Sequence, residues 1–395
     1  MTIFRLVIVL CCMAIPETDL LPSAAVAEER GVGEFRPLFN GKDLSGWVLV
    51  NTPPQTWTVS DEMLICSGKP IGELRTDRMY QNFILELEWR HMVPAGNAGV
   101  FVWADDITAR GVPFHRSVEV QVLDHGHGQS AGHTTHGDIF PIHGATMTPL
   151  NGRGGSRAFP TEERSKPSPE WNHYRIECRD GEISLAVNGK VVTRGKDASP
   201  RKGYICLESE GGVVHYRNIR IQELPDTTVA VEHVAVANRN FRSLYTGVDL
   251  SGWTMSESGR PAWSVQDWVL GFDGTAAGDA SRIETVQKFD DVGFLFDMRP
   301  TDEFQSLTLK RSDAKTSLVI QPDDARWSEA FRKRGQWLRW EGILQDGRVT
   351  LLLNGQSVIN KEPLELQNGS SGSGTLSLQP AGRVDFANIY VRELP

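Results

Sequence analysis

Phe35-Arg36-Pro37-Leu38-Phe39-Asn40-Gly41-Lys42-Asp43-Leu44-Ser45-Gly46-Trp47 returns later in the chain as Phe241-Arg242-Ser243-Leu244-Tyr245-Thr246-Gly247-Val248-Asp249-Leu250-Ser251-Gly252-Trp253. The closing stretch returns as well, Arg217-Asn218-Ile219-Arg220-Ile221-Gln222-Glu223-Leu224-Pro225 against Ala387-Asn388-Ile389-Tyr390-Val391-Arg392-Glu393-Leu394-Pro395. Two copies of one domain are therefore expected, 35–225 and 241–395, joined by 226–240. Matching starts lie 206 residues apart (35 and 241) and matching ends 170 apart (225 and 395), so copy two is 36 residues shorter. What it lacks is the stretch of copy one richest in His, Asp, Glu and Gln, approximately Gly96 to Met147. A shared scaffold without the shared polar insertion points to one active domain and one silent one.

Within each copy, apolar and polar residues alternate in short runs, and no long amphipathic helix is present. Phe83–Trp89, Val118–Leu123, Tyr174–Cys178, Ile183–Val187 and His215–Ile221 read as strands. Asp180-Gly181 and Asn188-Gly189 between them are hairpin turns, because Asp-Gly and Asn-Gly accept the positive φ of a type I′ turn. Copy two keeps both as Asp346-Gly347 and Asn354-Gly355. An all-β chain of two tandem sandwiches or jelly rolls is the expected fold. The joining segment 226–240 reads as a linker, or as one more edge strand.

A length of 395 residues suits two domains large enough for separate cores. The formal net charge of −9 argues against nucleic acid as a partner, since phosphate contacts need clustered Lys and Arg. Residues 1–27 read as an export signal: Arg5, the apolar run Leu6–Ile15, then Ala25-Val26-Ala27 as a cleavage site. That run is too short to span a bilayer. Export to the periplasm or medium is expected, and lipid anchoring through Cys11 or Cys12 fits less well because Leu10 stands where a small residue belongs. Cys66, Cys178 and Cys206 lie in apolar runs without zinc spacing and read as buried thiols.

Trp47/Trp253, Trp57/Trp263 and Trp171/Trp337 recur in both copies and read as packing. Trp89 and Trp103 occur only in copy one and are candidates for ligand contact. The strand Ser117-Val118-Glu119-Val120-Gln121-Val122-Leu123-Asp124 carries the sharpest chemical signal. Its two-residue period puts the valines on one face and Glu119 with Gln121 on the other, roughly 7 Å apart. Such a pair suits a sugar ring, one residue accepting and the other both donating and accepting; a plain solvent-facing strand fits the pattern equally. Asp124 ends the strand and could enter the same groove.

Five of the ten histidines follow within twenty residues: His125, His127, His133, His136 and His143, with Asp138 among them. Proton transfer, metal ligation and loop ordering all fit them. Their spacing is not that of a helical zinc site, so no cofactor is certain and a divalent metal is possible. Arg90 shares a strand face with Glu86 and Glu88, and copy two matches Glu88/Arg90 with Asp297/Arg299. A structural ion pair and a role in the site are both open there. Asn97, Trp103 and Arg116 complete the candidate substrate-binding set with Gln121 and Arg90.

Phe39-Asn40-Gly41-Lys42-Asp43-Leu44-Ser45-Gly46-Trp47, Asn97-Ala98-Gly99-Val100-Phe101, Val118–Asp124, His136-Gly137-Asp138-Ile139-Phe140 and Glu170-Trp171-Asn172 together resemble the 3-keto-disaccharide hydrolase domain family. The resemblance covers copy one fully and copy two more faintly, as a degenerate copy that loses the Glu-x-Gln strand. It implies a concanavalin A-like jelly roll and a secreted hydrolase of carbohydrate metabolism acting on a 3-keto-disaccharide or related oligosaccharide. The family's Glu-x-Gln strand maps onto Glu119 and Gln121, and its following acid onto Asp124. Two departures stand out: Ala98 replaces a serine, and Trp103 stands near the place of an arginine. The expected catalytic set is Glu119, Asp124, His136, Asp138 and His143, working by acid–base chemistry through elimination and hydration or through hydrolysis. The rival expectation is a non-catalytic carbohydrate-binding module, whose site would be flat and aromatic.

Overall fold

The computed structural model describes residues 33–394 apart from 334, 364 and 366–371, so the expected export signal lies outside the described residues. Each copy is a sandwich of two antiparallel sheets. In copy one the larger sheet has nine strands, centred on Asn172–Arg179, Phe83–His91 and Val214–Glu223. The smaller has six, in the order Trp47–Val50, Gly72–Thr76, Tyr204–Ser209, Asn97–Ala104, Ser117–Leu123, Ile139–Ile142. Copy two repeats the plan with eight strands and five.

The hairpin turns form as their sequences require. Asp180, Gly181, Asn188 and Gly189 all have positive φ, and so do their counterparts in copy two. Strand alternation builds the cores. Phe83, Leu85, Leu87 and Trp89 meet Val118, Val120 and Val122 between the sheets of copy one. Trp47 and Trp57 join that core, and Trp253 and Trp263 the core of copy two. Trp171 is different: it is part-exposed and lies against the guanidinium groups of Arg90 and Arg217. Cys66, Cys178 and Cys206 are buried and free.

Two expectations change here. Copy two does not lose the chemistry-bearing strand altogether, since a three-residue strand, Leu318–Ile320, pairs in its place. The joining segment adds no strand; it makes a 3-10 turn, Val231–His233, and its Ala235 N–H donates to the Lys202 carbonyl.

The copies are clamped together through the turn 108–112 of copy one. Asp297 accepts from Gly111 N (2.8 Å), and Arg339 donates to Asp297 (2.7 and 2.8 Å) and to the Thr108 carbonyl (2.8 Å). Asn388 donates to the carbonyls of Ala109 and Val112 (3.1 and 3.0 Å) and to Asp297 (2.8 Å). A Cβ on Gly111, whose φ is +76°, would lie 2.1 Å from the Trp337 ring. A side chain there would collide with that ring and strain the backbone.

Candidate active site

The site is built on the outer face of the six-stranded sheet. With the valines of Ser117–Leu123 turned inward, Glu119 and Gln121 must turn outward, and both are 7 % exposed. Register aligns Gly99 with Gln121 and Phe101 with Glu119 on one side. On the other, Leu207 pairs with Val100 and Glu208 with Glu73, which brings Glu208 beside Gly99. A Cβ on Gly99 would lie 2.9 Å from Glu208 Oε2 and 3.1 Å from Glu119 Oε1. The two carboxyl groups therefore share the space that this glycine leaves empty.

A hydrogen-bonded chain leads outward from them. Gln121 Nε2 donates to Asn97 Oδ1 (3.0 Å) and the Ala98 carbonyl (3.3 Å), and Asn97 Nδ2 donates to Glu210. Asn97 and Glu210 are part-exposed and form the rim, whereas Glu208 is 1 % exposed and its Oε2 has no hydrogen-bond partner.

Crowding carboxyl groups in a dry place opposes their ionisation. Burial, then the charge of Glu210, pushes Glu119 up to about 8. Burial, then Glu119 and Glu210, pushes Glu208 well above the ordinary carboxylate value, and burial raises Glu210. Near neutral pH this cluster holds shared protons, the condition for one carboxyl to give a proton while its neighbour takes one. Arg157 opposes the effect at Glu119; it bonds Asp138 (2.9 Å) and lies 3.4 Å from the centroid of Phe140, the residue paired with Glu119.

Next to Glu208 across the strand pair, His115 and Glu73 are wholly buried and joined twice, His115 N–H to Oε1 (2.9 Å) and Nδ1 to Oε2. Cys206 lies beside them, and the three offer ligand atoms within 4.8 Å of one another. His115 rides on the loop whose turn copy two grips.

The structure brings only part of the expected set together. Glu119, Gln121 and Asn97 meet as the strand pattern requires. Asp124 instead caps a loop: it accepts from Ala95, Gly126 and Ser168 N–H groups (2.9, 2.8 and 2.8 Å). Burial would raise its pKa, but those three donors hold it below the ordinary value and use its lone pairs. Asp138 is likewise tied to Arg157 and Thr134. His136 is 1 % exposed, stacked on His125, and pushed down to about 3 by burial and then by that neighbour. An imidazole so hard to protonate is a poor general acid. His143 lies at the rim against Phe114.

Three substrate-binding candidates lie elsewhere. Arg90 is on the outer face of the opposite sheet, beside His215 (3.3 Å) and Trp171. Arg116 makes a two-pronged bond to Asp105 (2.9 and 2.9 Å) that closes the base of the loop. Trp103 is fully buried, with Nε1 donating to the Gln81 carbonyl (2.8 Å). Register shifts between Tyr204 and Cys206, where Phe101 and Ala104 are the partners, so a bulge with Trp103 at φ +56° turns that ring into the core. Trp89 is core too. A cleft of about 500 Å³ opens on the same remote face as Arg90, between Glu86, Glu88, His173, Asn218 and Arg220.

Glu73, Glu208, Glu210 and Arg157 were not anticipated. The alternation in Leu207-Glu208-Ser209-Glu210 was a usable signal, since two acids two apart at a strand end must share a face.

Residues 34–222 and 240–392 both match the 3-keto-alpha-glucoside-1,2-lyase-like domain. The chain belongs to that family. Parts of the chain are also similar to solved structures. One, assigned as a glycosyl hydrolase from Parabacteroides distasonis, is 22 % identical over 49 % of this chain and 94 % of its own, with a TM-score of 0.38. A second from the same organism is 26 % identical over 48 % and 100 %, TM-score 0.37. The β-glucanase of Bacillus licheniformis is 12 % identical over 49 % and 99 %, TM-score 0.31. No curated protein matches the chain. This member of the 3-keto-alpha-glucoside-1,2-lyase-like family is a carbohydrate-active protein.

Proposed function

We propose that copy one cleaves the glycosidic bond of a 3-keto-disaccharide or related 3-keto-glycoside, and that the protein does so after export, in the periplasm or medium. A carbonyl at C3 acidifies the hydrogen on C2. One carboxyl of the Glu119/Glu208 pair, ionised, removes that proton, and the C–H electron pair moves into an enolate. The enolate then expels the oxygen on C1, which takes a proton from the other carboxyl. Proton number is conserved within the pair, and both transfers occur on one face of the sugar. That expulsion breaks the glycosidic bond, and water adds afterwards to the C1–C2 double bond to give the free 3-keto sugar. Asn97 and Gln121 hold ring hydroxyls, and Arg157, whose charge acts on Glu119, steadies the developing enolate charge.

The observation that carries this reading is the pair of buried carboxyl groups over Gly99, with the Glu119 pKa displaced to about 8. The flat aromatic platform of a binding module has lost its candidates, because Trp89 and Trp103 are in the core. The test is Glu119→Gln assayed on a 3-keto-glucoside, with binding followed by calorimetry. Turnover should fall by about 10²- to 10⁴-fold with affinity largely kept. Unaltered turnover removes Glu119 from the reaction. A wild-type protein that binds the sugar without turning it over is the binding module instead.

A further inference from the structure

Of the histidine-rich loop, His127 acts by its charge on Glu210 of the carboxyl cluster, whereas His125 and His136 form a separate group. His125 and His136 stack with ring centroids 5.1 Å apart and planes 13° from parallel. Both reach Ser165: its Oγ is 2.7 Å from His125 Nε2 and 2.5 Å from His136 Nδ1. The Ser165 N–H donates to His136 Nε2 (3.2 Å), so the neutral His136 ring carries its proton on Nδ1 and donates to Ser165 Oγ, which donates in turn to His125 Nε2. Glu163 approaches from the same segment, with Oε1 3.4 Å from His125 Nδ1. One nitrogen of each imidazole and a Glu163 oxygen lie within 4.8 Å of one another.

We propose that His125, His136 and Glu163 bind a borderline divalent cation of the zinc class, a site independent of the cleavage chemistry proposed above. Two imidazoles and one carboxylate are the donor set such ions take, and three protein ligands leave a fourth position open. His136 and Glu163 also line a cleft of about 150 Å³, with Gln129, Thr134 and Arg153. The donors are graded in mobility: His136 is 1 % exposed and fixed, while His125 and Glu163 have side chains 28 % and 46 % exposed. An ion takes the His136 Nε2 lone pair in place of the Ser165 N–H, and the more exposed His125 and Glu163 side chains close on it to reach bond lengths near 2.0–2.1 Å. A bound ion would tie the 125–138 loop to the 161–168 segment.

The same groups invite another reading, a Ser165 nucleophile with His125 as base and Glu163 behind it. Such a nucleophile needs backbone donors for an oxyanion. The Ser165 N–H is spent on His136 Nε2 (3.2 Å) and the Lys166 N–H on Asn172 Oδ1 (2.7 Å). The geometry therefore favours the cation.

The test needs no sugar, so its result stands whatever becomes of the cleavage reading. Full-length protein is stripped with a chelator and titrated with Zn²⁺ by calorimetry and with Co²⁺ by visible absorption. One equivalent should bind, with the intense bands of low-symmetry four-coordinate cobalt. Glu163→Gln and His125→Asn, both at accessible positions, should each weaken binding at least about tenfold. His133→Ala, a histidine of the same loop bonded to Ser130, should leave it unchanged. No stoichiometric binding, binding indifferent to both ligand variants, or binding weakened equally by His133→Ala overturns the proposal. So does stoichiometric labelling of Ser165 by a fluorophosphonate.

Discussion

Copy one and copy two use one set of strands for opposite purposes, and register shows where they part. Pairing of Trp47 with Thr76 matches that of Trp253 with Thr285, and Leu207 with Leu74 matches Leu378 with Ile283. Carried across the smaller sheet, that frame sets Glu73 against Arg282, Glu208 against Gln379, Gly99 against Thr308 and Gln121 against Val319. Glu119 falls opposite Ser317. Every group of the carboxyl cluster is replaced in copy two, and so is the glycine that makes room for it. The larger sheets diverge in the other direction. Asn218 and Asn388 keep the same left-handed backbone, φ +51° in both. Asn388 is buried and grips the 108–112 turn, while Asn218 lines an open cleft. Copy two has given up its small-sheet face and gained a clamp. It braces the loop that carries His115 to Glu73, beside the acids of copy one.

The largest effect separating the copies should be Glu119→Gln, at about 10²- to 10⁴-fold in turnover, against no change from Ser317→Ala at the matching place. Next comes the clamp. Arg339→Met leaves Asp297, which is wholly buried, without its cation and should cost about 3–5 kcal/mol of stability in denaturant titration. Hydrogen exchange in that variant should rise across 105–115; unchanged exchange there would mean that copy two does not brace the loop.

Gly99→Ala should cost about 1–3 kcal/mol by crowding Glu208, Glu119 and Phe101, and should lower turnover as well. Thr308→Gly in copy two, where no carboxyls converge, should change stability by about 1 kcal/mol or less.

The smallest effect is on pH dependence. A carboxyl whose folded pKa is raised binds its proton more tightly folded than unfolded. Its favourable contribution is full below the ordinary carboxylate value and is lost as pH rises through about 8. The thermal midpoint should therefore fall between pH 5 and pH 9. Glu119→Gln should reduce that fall by roughly a few degrees. A pH profile identical to wild type would place Glu119 in an ordinary solvated setting.

Much of this was legible in the chain. The repeat gave the number of domains, and Asp-Gly and Asn-Gly gave the hairpins, because positive φ is a local property of those residues. Alternation put Glu119 and Gln121 on one face, because a strand's period is two whatever surrounds it. The rest depended on partners distant in sequence. Glu73 and Glu208 reach Glu119 only through the order of strands in the sheet, which periodicity within one strand cannot reveal. Trp103 looked like a ligand contact until a one-residue bulge turned it inward. Asp124 looked like an acid for chemistry, but three backbone N–H groups claim it, one from its own turn and two from other segments. Copy two looked silent because its losses are written in the sequence, whereas its grip on the 108–112 turn exists only once the two sandwiches pack. Local conformation follows from the residues themselves; which charges share a dry space is decided by the folding of the whole chain.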